Sequence, residues 1–113
     1  ISDSLRAKHC PPGGEYELGG HPIEIRDNGL AYLKGTDTIA GSTLHINRGL
    51  RLLVEEALVP FDAALNACTI NPARCLRVDD HKGRLAAGYD ADLVVLEDNY
   101  DVCQTYCKGK AML

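Results

Sequence analysis

Asp3 is the first residue of this chain whose type and setting point to chemistry. It stands in Ile1-Ser2-Asp3-Ser4, ahead of Arg6-Ala7-Lys8 and the loop-forming run Pro11-Pro12-Gly13-Gly14. A carboxylate at the tip of a short strand, with such a loop after it, fits the strand end of a β/α barrel. Reacting side chains sit there, on the face built by the following loops. A carboxylate so placed can take a proton from water and return it to a leaving group. On spacing alone, a plain cap or loop contact near the chain end is the commoner use of such an Asp.

Other reactive types are present in weaker arrangements. Asp90 and Asp92 could form an acid–base pair, but they flank a turn after Gly88 and precede an apolar strand, which assigns them to local backbone bonds. His9, His21, His45 and His81 show no HxH or HxxxH spacing and are expected to be surface or packing histidines. The five cysteines, Cys10, Cys68, Cys75, Cys103 and Cys107, are odd in number and contain no CxxC pair. Buried, reduced thiols are therefore expected in place of a disulfide framework or zinc site, which points to the cytoplasm.

At 113 residues and 45% hydrophobic content, the chain can support a modest core. No apolar run reaches the ~18 residues of a membrane span. A net charge of -4, with no block of Lys or Arg, gives little affinity for nucleic acid.

The elements that must position these residues follow an order of strands, helices and strands, an α+β arrangement. Tyr16 and Leu18, Ile23 and Ile25, and Leu30, Tyr32 and Leu33 give short alternating runs, separated by Gly19-Gly20 and by Asp27-Asn28-Gly29, a strong hairpin signal. After a loop from Lys34 to Gly41, the spacing of Ile46, Leu50, Leu53, Val54 and Ala57 predicts a helix, capped by Ser42 or Thr43, with Arg51 and Glu55 paired on its other face. Pro60 opens a second helix, and Asn71-Pro72 is expected to end it and begin a third. Leu93-Val94-Val95-Leu96 reads as a strand buried on both faces. Val102, Gln104 and Tyr106 alternate with cysteines, and Lys108-Gly109-Lys110 turns the chain back.

The stretch from Asn71-Pro72-Ala73-Arg74 through Lys82-Gly83-Arg84-Leu85-Ala86-Ala87-Gly88-Tyr89-Asp90-Ala91-Asp92 to Leu93-Val94-Val95-Leu96 resembles the C-terminal signature of the amidohydrolase superfamily. Together with Ile1-Ser2-Asp3-Ser4, Gly14-Glu15-Tyr16-Glu17-Leu18-Gly19-Gly20 and Ile39-Ala40-Gly41-Ser42-Thr43-Leu44, it is similar to the N-acetylglucosamine-6-phosphate deacetylase family across essentially the whole chain. Departures are mild: Ser4 stands where Ala is usual, Ile39 where Leu is usual, and Pro60 where a Ser cap is common. The resemblance implies the C-terminal part of a metal-dependent hydrolase β/α barrel, its last strand and helices, plus strands of a small β-sandwich. Residues 1–78 would end the barrel, with a hairpin insertion, and residues 79–113 would supply sandwich strands.

It further implies hydrolysis of N-acetyl-D-glucosamine 6-phosphate to glucosamine 6-phosphate and acetate by the intact enzyme. Asp3 would be the proton-transfer residue, and Ile39, Ala40 and Gly41 the substrate-contacting loop. The divalent metal would be held by a Glu and two His upstream, with no metal ligand in this chain. A sugar-phosphate substrate, a homo-oligomer and a cytoplasmic location are expected. Another amidohydrolase, such as a dihydroorotase or aminoacylase, and a non-catalytic β-rich assembly module are the alternatives.

Overall fold

The Gly-Gly and Asn-Gly steps turn the chain where the alternation predicts. In a computed structural model, which describes residues 1–112, β1 (Tyr16–Leu18), β2 (His21–Ile25) and β3 (Ala31–Leu33) form an antiparallel sheet in the order β1-β2-β3. Gly19 and Gly20 both take positive φ, 58° and 82°, as the tightest hairpin of this hand requires. The second turn closes when Gly29 N–H donates to the Arg26 carbonyl at 2.8 Å and Leu30 N–H donates to Asn28 Oδ1 at 2.9 Å. Alternation then sends Ile23 and Ile25 inward, where they meet Ala31, Ala40 and Ala7, the last supplied by the 3-10 turn Arg6–His9. This cluster is the core of the first compact unit, Ile1–His45.

The second unit, Ile46–Leu113, carries α1 (Ile46–Glu55), α2 (Phe61–Cys68) and α3 (Ile70–Cys75). These are followed by an antiparallel sheet of β4 (Leu93–Leu96), β5 (Val102–Cys107) and β6 (Lys110–Met112), in that order. In α1 the helical spacing buries Leu50, while Arg51 and Glu55 pair at 3.2 Å one turn apart. An exposed pair of this kind contributes only about 0.3 kcal/mol. The predicted cap is not made. Ser42 Oγ accepts from Leu44 N–H at 3.0 Å and Thr43 Oγ1 donates to the Gly29 carbonyl at 2.6 Å, so both hydroxyls are engaged before the helix begins at Ile46. The helix stops at Glu55, short of Ala57, and the chain leaves through Leu58 at φ 53°.

The break between α2 and α3 falls at Thr69 (φ −127°, ψ −89°), not at Asn71. Thr69 Oγ1 donates back to the Leu65 carbonyl at 2.8 Å, closing α2. Pro72 sits in the first turn of α3, where its missing N–H would have no intrahelical acceptor. Ala64, Ile70 and Ala73 are buried, and Gly83 passes so close to α3 that a Cβ on it would lie 2.9 Å from Ile70 Cα.

Leu93–Leu96 is a strand, but its expected burial on both faces is not met: Val94 is 57% and Val95 45% exposed. As the edge of a three-stranded sheet, β4 pairs only with β5, and the described residues supply no layer over these two side chains. All five cysteines are free; Cys10 and Cys68 are half-buried, while Cys75 at the end of α3 and Cys103 and Cys107 on β5 are exposed, contrary to the expected burial. Among the described residues no helix is long and apolar enough to cross a membrane.

Candidate functional site

Asp3 and Gly41, far apart in sequence, are brought onto neighbouring backbone segments. Ser42 N–H donates to the Asp3 carbonyl at 3.1 Å and Leu5 N–H donates to the Ser42 carbonyl at 3.0 Å, a parallel bridge between Ser4 and Ser42. Asp3 and Gly41 each stand one residue before that bridge. Asp3 is exposed and takes φ 51°. Asp enters the left-handed region more readily than most residues, at a cost of about 1–2 kcal/mol, and strain of this kind concentrates at functional sites.

The loop residues divide by role. Ile39 is 60% exposed and bridged to Tyr32 on β3. Ala40 turns its methyl into the core, and its N–H donates to the Ala31 carbonyl at 2.9 Å. Its side chain therefore packs in the interior, leaving its main chain as the only part of Ala40 that could face a pocket. Gly41 takes φ 76°, and a Cβ there would lie 2.7 Å from Leu5 Cδ2, so the position suits glycine on both counts. The expectation that Ser42 begins α1, placing a helix N-terminus at this loop, is corrected: three residues separate it from Ile46.

A cleft of about 520 Å³ in the same unit is lined by Arg6, Cys10, Tyr16, Glu17 and Lys34, and includes neither Asp3 nor residues 39–41. In it Tyr16 donates to the Pro11 carbonyl at 2.7 Å, and burial, reinforced by Cys10, pushes the Tyr16 hydroxyl pKa up. His9 and His45, unrelated by any sequence spacing, meet edge-on with ring centroids 5.2 Å apart.

Asp90 and Asp92 form an ion cluster that sequence spacing did not expose. Lys82 Nζ lies 2.6 Å from Asp90 Oδ2 and 2.5 Å from Asp92 Oδ2, while Asp92 Oδ1 accepts from Lys108 N–H at 2.8 Å. The hydrogen bond from Lys82 holds both carboxyl pKa values below the ordinary range, and Asp90 followed by Asp92 holds the Lys82 pKa above its own. The backbone bond expected of Asp92 is present, but it reaches the β5–β6 turn and not a neighbour in sequence. With a lysine between them, the two carboxylates tie down a loop. Among the described residues, no group of three or more His, Cys, Asp or Glu is arranged to hold a metal ion.

The sequence profile of the amidohydrolase family matches residues 22–112. The chain belongs to the amidohydrolase family. Within it, the N-acetylglucosamine-6-phosphate deacetylase of Danio rerio is 37% identical over 111 residues, covering 97% of this chain and 27% of the relative. The enzyme of that name from Bacillus subtilis (strain 168) is 37% identical over 109 residues, covering 96% of this chain and 27% of the relative. A solved structure of the Mycobacterium smegmatis N-acetyl-D-glucosamine-6-phosphate deacetylase, an Asp-to-Ala variant in complex with N-acetyl-D-glucosamine-6-phosphate, superposes with a TM-score of 0.82 at 37% identity. The match covers 98% of this chain and 29% of that one. The amidohydrolase chain described here thus spans roughly a quarter of the length of the curated relatives it matches.

The sequence pointed to Asp3 and to the Ile39–Gly41 loop, and offered only a faint sign of Arg26, which bonds residues 36 and 37 just ahead of that loop. Arg26 Nε donates to Glu24 Oε1 at 2.9 Å, Nη1 to Asp37 Oδ1 at 2.9 Å and Nη2 to the Thr36 carbonyl at 2.5 Å. An arginine beside a predicted hairpin turn, with an acid eleven residues on, was the one available signal.

Proposed function

We propose that this chain is the C-terminal part of an N-acetylglucosamine-6-phosphate deacetylase. Residues 1–78 would close the β/α barrel, with the β1–β3 hairpins inserted, and residues 79–113 would add strands to the accompanying β-sandwich. The observation that carries the reading is the Ser4–Ser42 bridge, which sets the segment bearing Asp3 against the segment bearing Gly41. Two motifs whose resemblance assigns them to proton transfer and substrate contact stand side by side in a chain that aligns almost end to end with deacetylases.

In this reading the Asp3 carboxylate takes a proton as water attacks the acetyl carbonyl carbon. It then delivers that proton to the amide nitrogen as the C–N bond breaks, releasing acetate and glucosamine 6-phosphate. Ile39, Ala40 and Gly41 border the sugar phosphate, Ala40 and Gly41 through their main chain. A divalent metal ion, when bound, would lower the pKa of the attacking water; its ligands are proposed to lie outside this chain. A cytoplasmic homo-oligomer is the proposed setting, the sugar phosphate being the substrate.

The test is acetate release from N-acetylglucosamine 6-phosphate by the full-length protein that carries this chain. Asp3→Asn should lower kcat by ~100-fold or more while fold and metal content stay normal. Turnover close to that of the unaltered enzyme would show that another residue moves the proton.

A further inference from the structure

We propose that Arg26 is a positioning residue for the Ile39–Gly41 loop. It fixes the front end of that loop so that the Gly41 main chain meets the Asp3 segment in one geometry. The inference rests on the reading of Ile39–Gly41 as a substrate-contacting loop.

Arg26 follows β2 at the start of the β2–β3 turn. Its three donor directions go to different partners: Glu24 on β2, the Thr36 carbonyl and the Asp37 carboxylate. The face of its guanidinium lies over the Tyr32 ring, 3.9 Å from the centroid. Asp37 is 96% exposed, so water screens that pair and it contributes little. The hold comes from the Thr36 carbonyl and from Tyr32. Tyr32 is the residue bridged to Ile39, and its hydroxyl is fixed by Asn28 Nδ2 at 3.1 Å. Arg26 thus grips the loop directly at Thr36 and packs on the ring of Tyr32, whose main chain is the part bridged to Ile39.

The far end is tied to the same hairpin. Ala40 N–H donates to the Ala31 carbonyl, and Thr43 Oγ1 donates to the Gly29 carbonyl. Residues 36–43 are therefore held at both ends by the hairpin of β2 and β3, with Gly41 near one end and Ser42 bonded to the Asp3 carbonyl. Leu33 also holds the front end, its carbonyl accepting from Thr36 N–H and Oγ1 and its N–H donating to the Thr38 carbonyl at 2.9 Å, so losing Arg26 loosens that end without freeing it and lets the intervening main chain shift. Small misplacements of substrate-positioning groups are costly. A lysine cannot stand in, because it lacks the planar fork that reaches three acceptors while stacking on a ring.

The experiment uses the full-length protein with Arg26→Met and Arg26→Lys. It measures kcat and KM for N-acetylglucosamine 6-phosphate, and amide hydrogen exchange. Arg26→Met should raise KM about tenfold, the scale of a lost charge-assisted hydrogen bond, with kcat changed less than threefold. The Thr38 and Ala40 amides should exchange at least tenfold faster while β2 amides keep their protection. Arg26→Lys should recover no more than part of KM, and it serves as the test if the Met variant does not fold. An unchanged KM, full recovery by Lys, or loss of protection across the whole sheet in both variants would overturn the proposal. If the unaltered protein releases no acetate, the functional reading fails instead, and exchange at Thr38 and Ala40 alone decides whether Arg26 fixes the loop.

Discussion

Asp3 at φ 51° and Gly41 at φ 76° place two left-handed residues on adjoining segments beside the Ser4–Ser42 bridge. For Gly41 the conformation carries a test. A β-branched side chain at that φ costs about 1–2 kcal/mol, and the nearest atoms to its Cβ would all belong to the Leu5 side chain, Cδ2 at 2.7 Å and Cγ at 3.0 Å, which can move aside. Gly41→Val should therefore leave the full-length protein folded, with a lower denaturation midpoint, while weakening binding of the sugar phosphate. Calorimetric titration with substrate, beside a thermal melt, reads both. Unchanged binding with a lowered melt would make the loop purely structural. Asp3 and Gly41 could be proposed from the sequence because a motif and a residue type mark them. The inward turn of Ala40 could not, since alanine is equally at home in a loop and in a core; only its packing against Ile23 and Ile25 decides it.

Lys82, Asp90 and Asp92 set the behaviour of the element between α3 and β4. This segment is pinned by Tyr89, whose hydroxyl donates to the Asp79 carbonyl at 2.9 Å, and by Asp90 N–H, which donates to the His81 carbonyl at 2.9 Å. Asp92 extends the pinning to the β5–β6 turn through Lys108 N–H. The carboxyl pKa values are lowered, so their contribution to stability is present above about pH 4 and is lost as pH falls through the lowered values. The Lys82 pKa is raised, so its contribution is complete below about pH 10.4 and is lost as pH rises through the raised value. A plateau between those limits follows. Lys82→Met should move the acid titration of Asp90 and Asp92 upward, since two neighbouring carboxylates lose their shared cation. Carboxyl carbon shifts followed by NMR check it, and unmoved titrations would show that the contacts with Lys82 have no weight in solution. The hairpins were legible here from Gly19-Gly20, Asn28-Gly29 and Lys108-Gly109. The helix caps were not, because the hydroxyls of Ser42, Thr43 and Thr69 all take nearer or stronger partners.

Among the described residues the buried set is small and wholly apolar, while Leu58, Leu76 and Leu85 are each more than 70% exposed and Val94 and Val95 are uncovered on the edge strand β4. In the proposed reading, the rest of the enzyme covers these surfaces and supplies the metal ligands. The 113-residue chain alone, mixed with divalent metal and N-acetylglucosamine 6-phosphate, is therefore expected to release no acetate above an Asp3→Ala control. Acetate above that control would mean that a complete catalytic centre assembles within these residues, and the division of labour proposed above would fall.

The sequence by itself determined the order of strands and helices, the hairpin turns, the family and the two segments that meet at the candidate site. Those features depend on local periods, on glycines at fixed offsets and on motifs, all of which are written along the chain. Only the tertiary structure decided that Ser4 bridges Ser42, that Lys82 sits between Asp90 and Asp92, that Arg26 reaches Thr36 and Tyr32, and that Leu93–Leu96 lies at a sheet edge with two valines uncovered. Each of these joins residues separated by intervening turns. Their pairing follows from how neighbouring elements satisfy one another's polar groups and apolar faces, which no local pattern records.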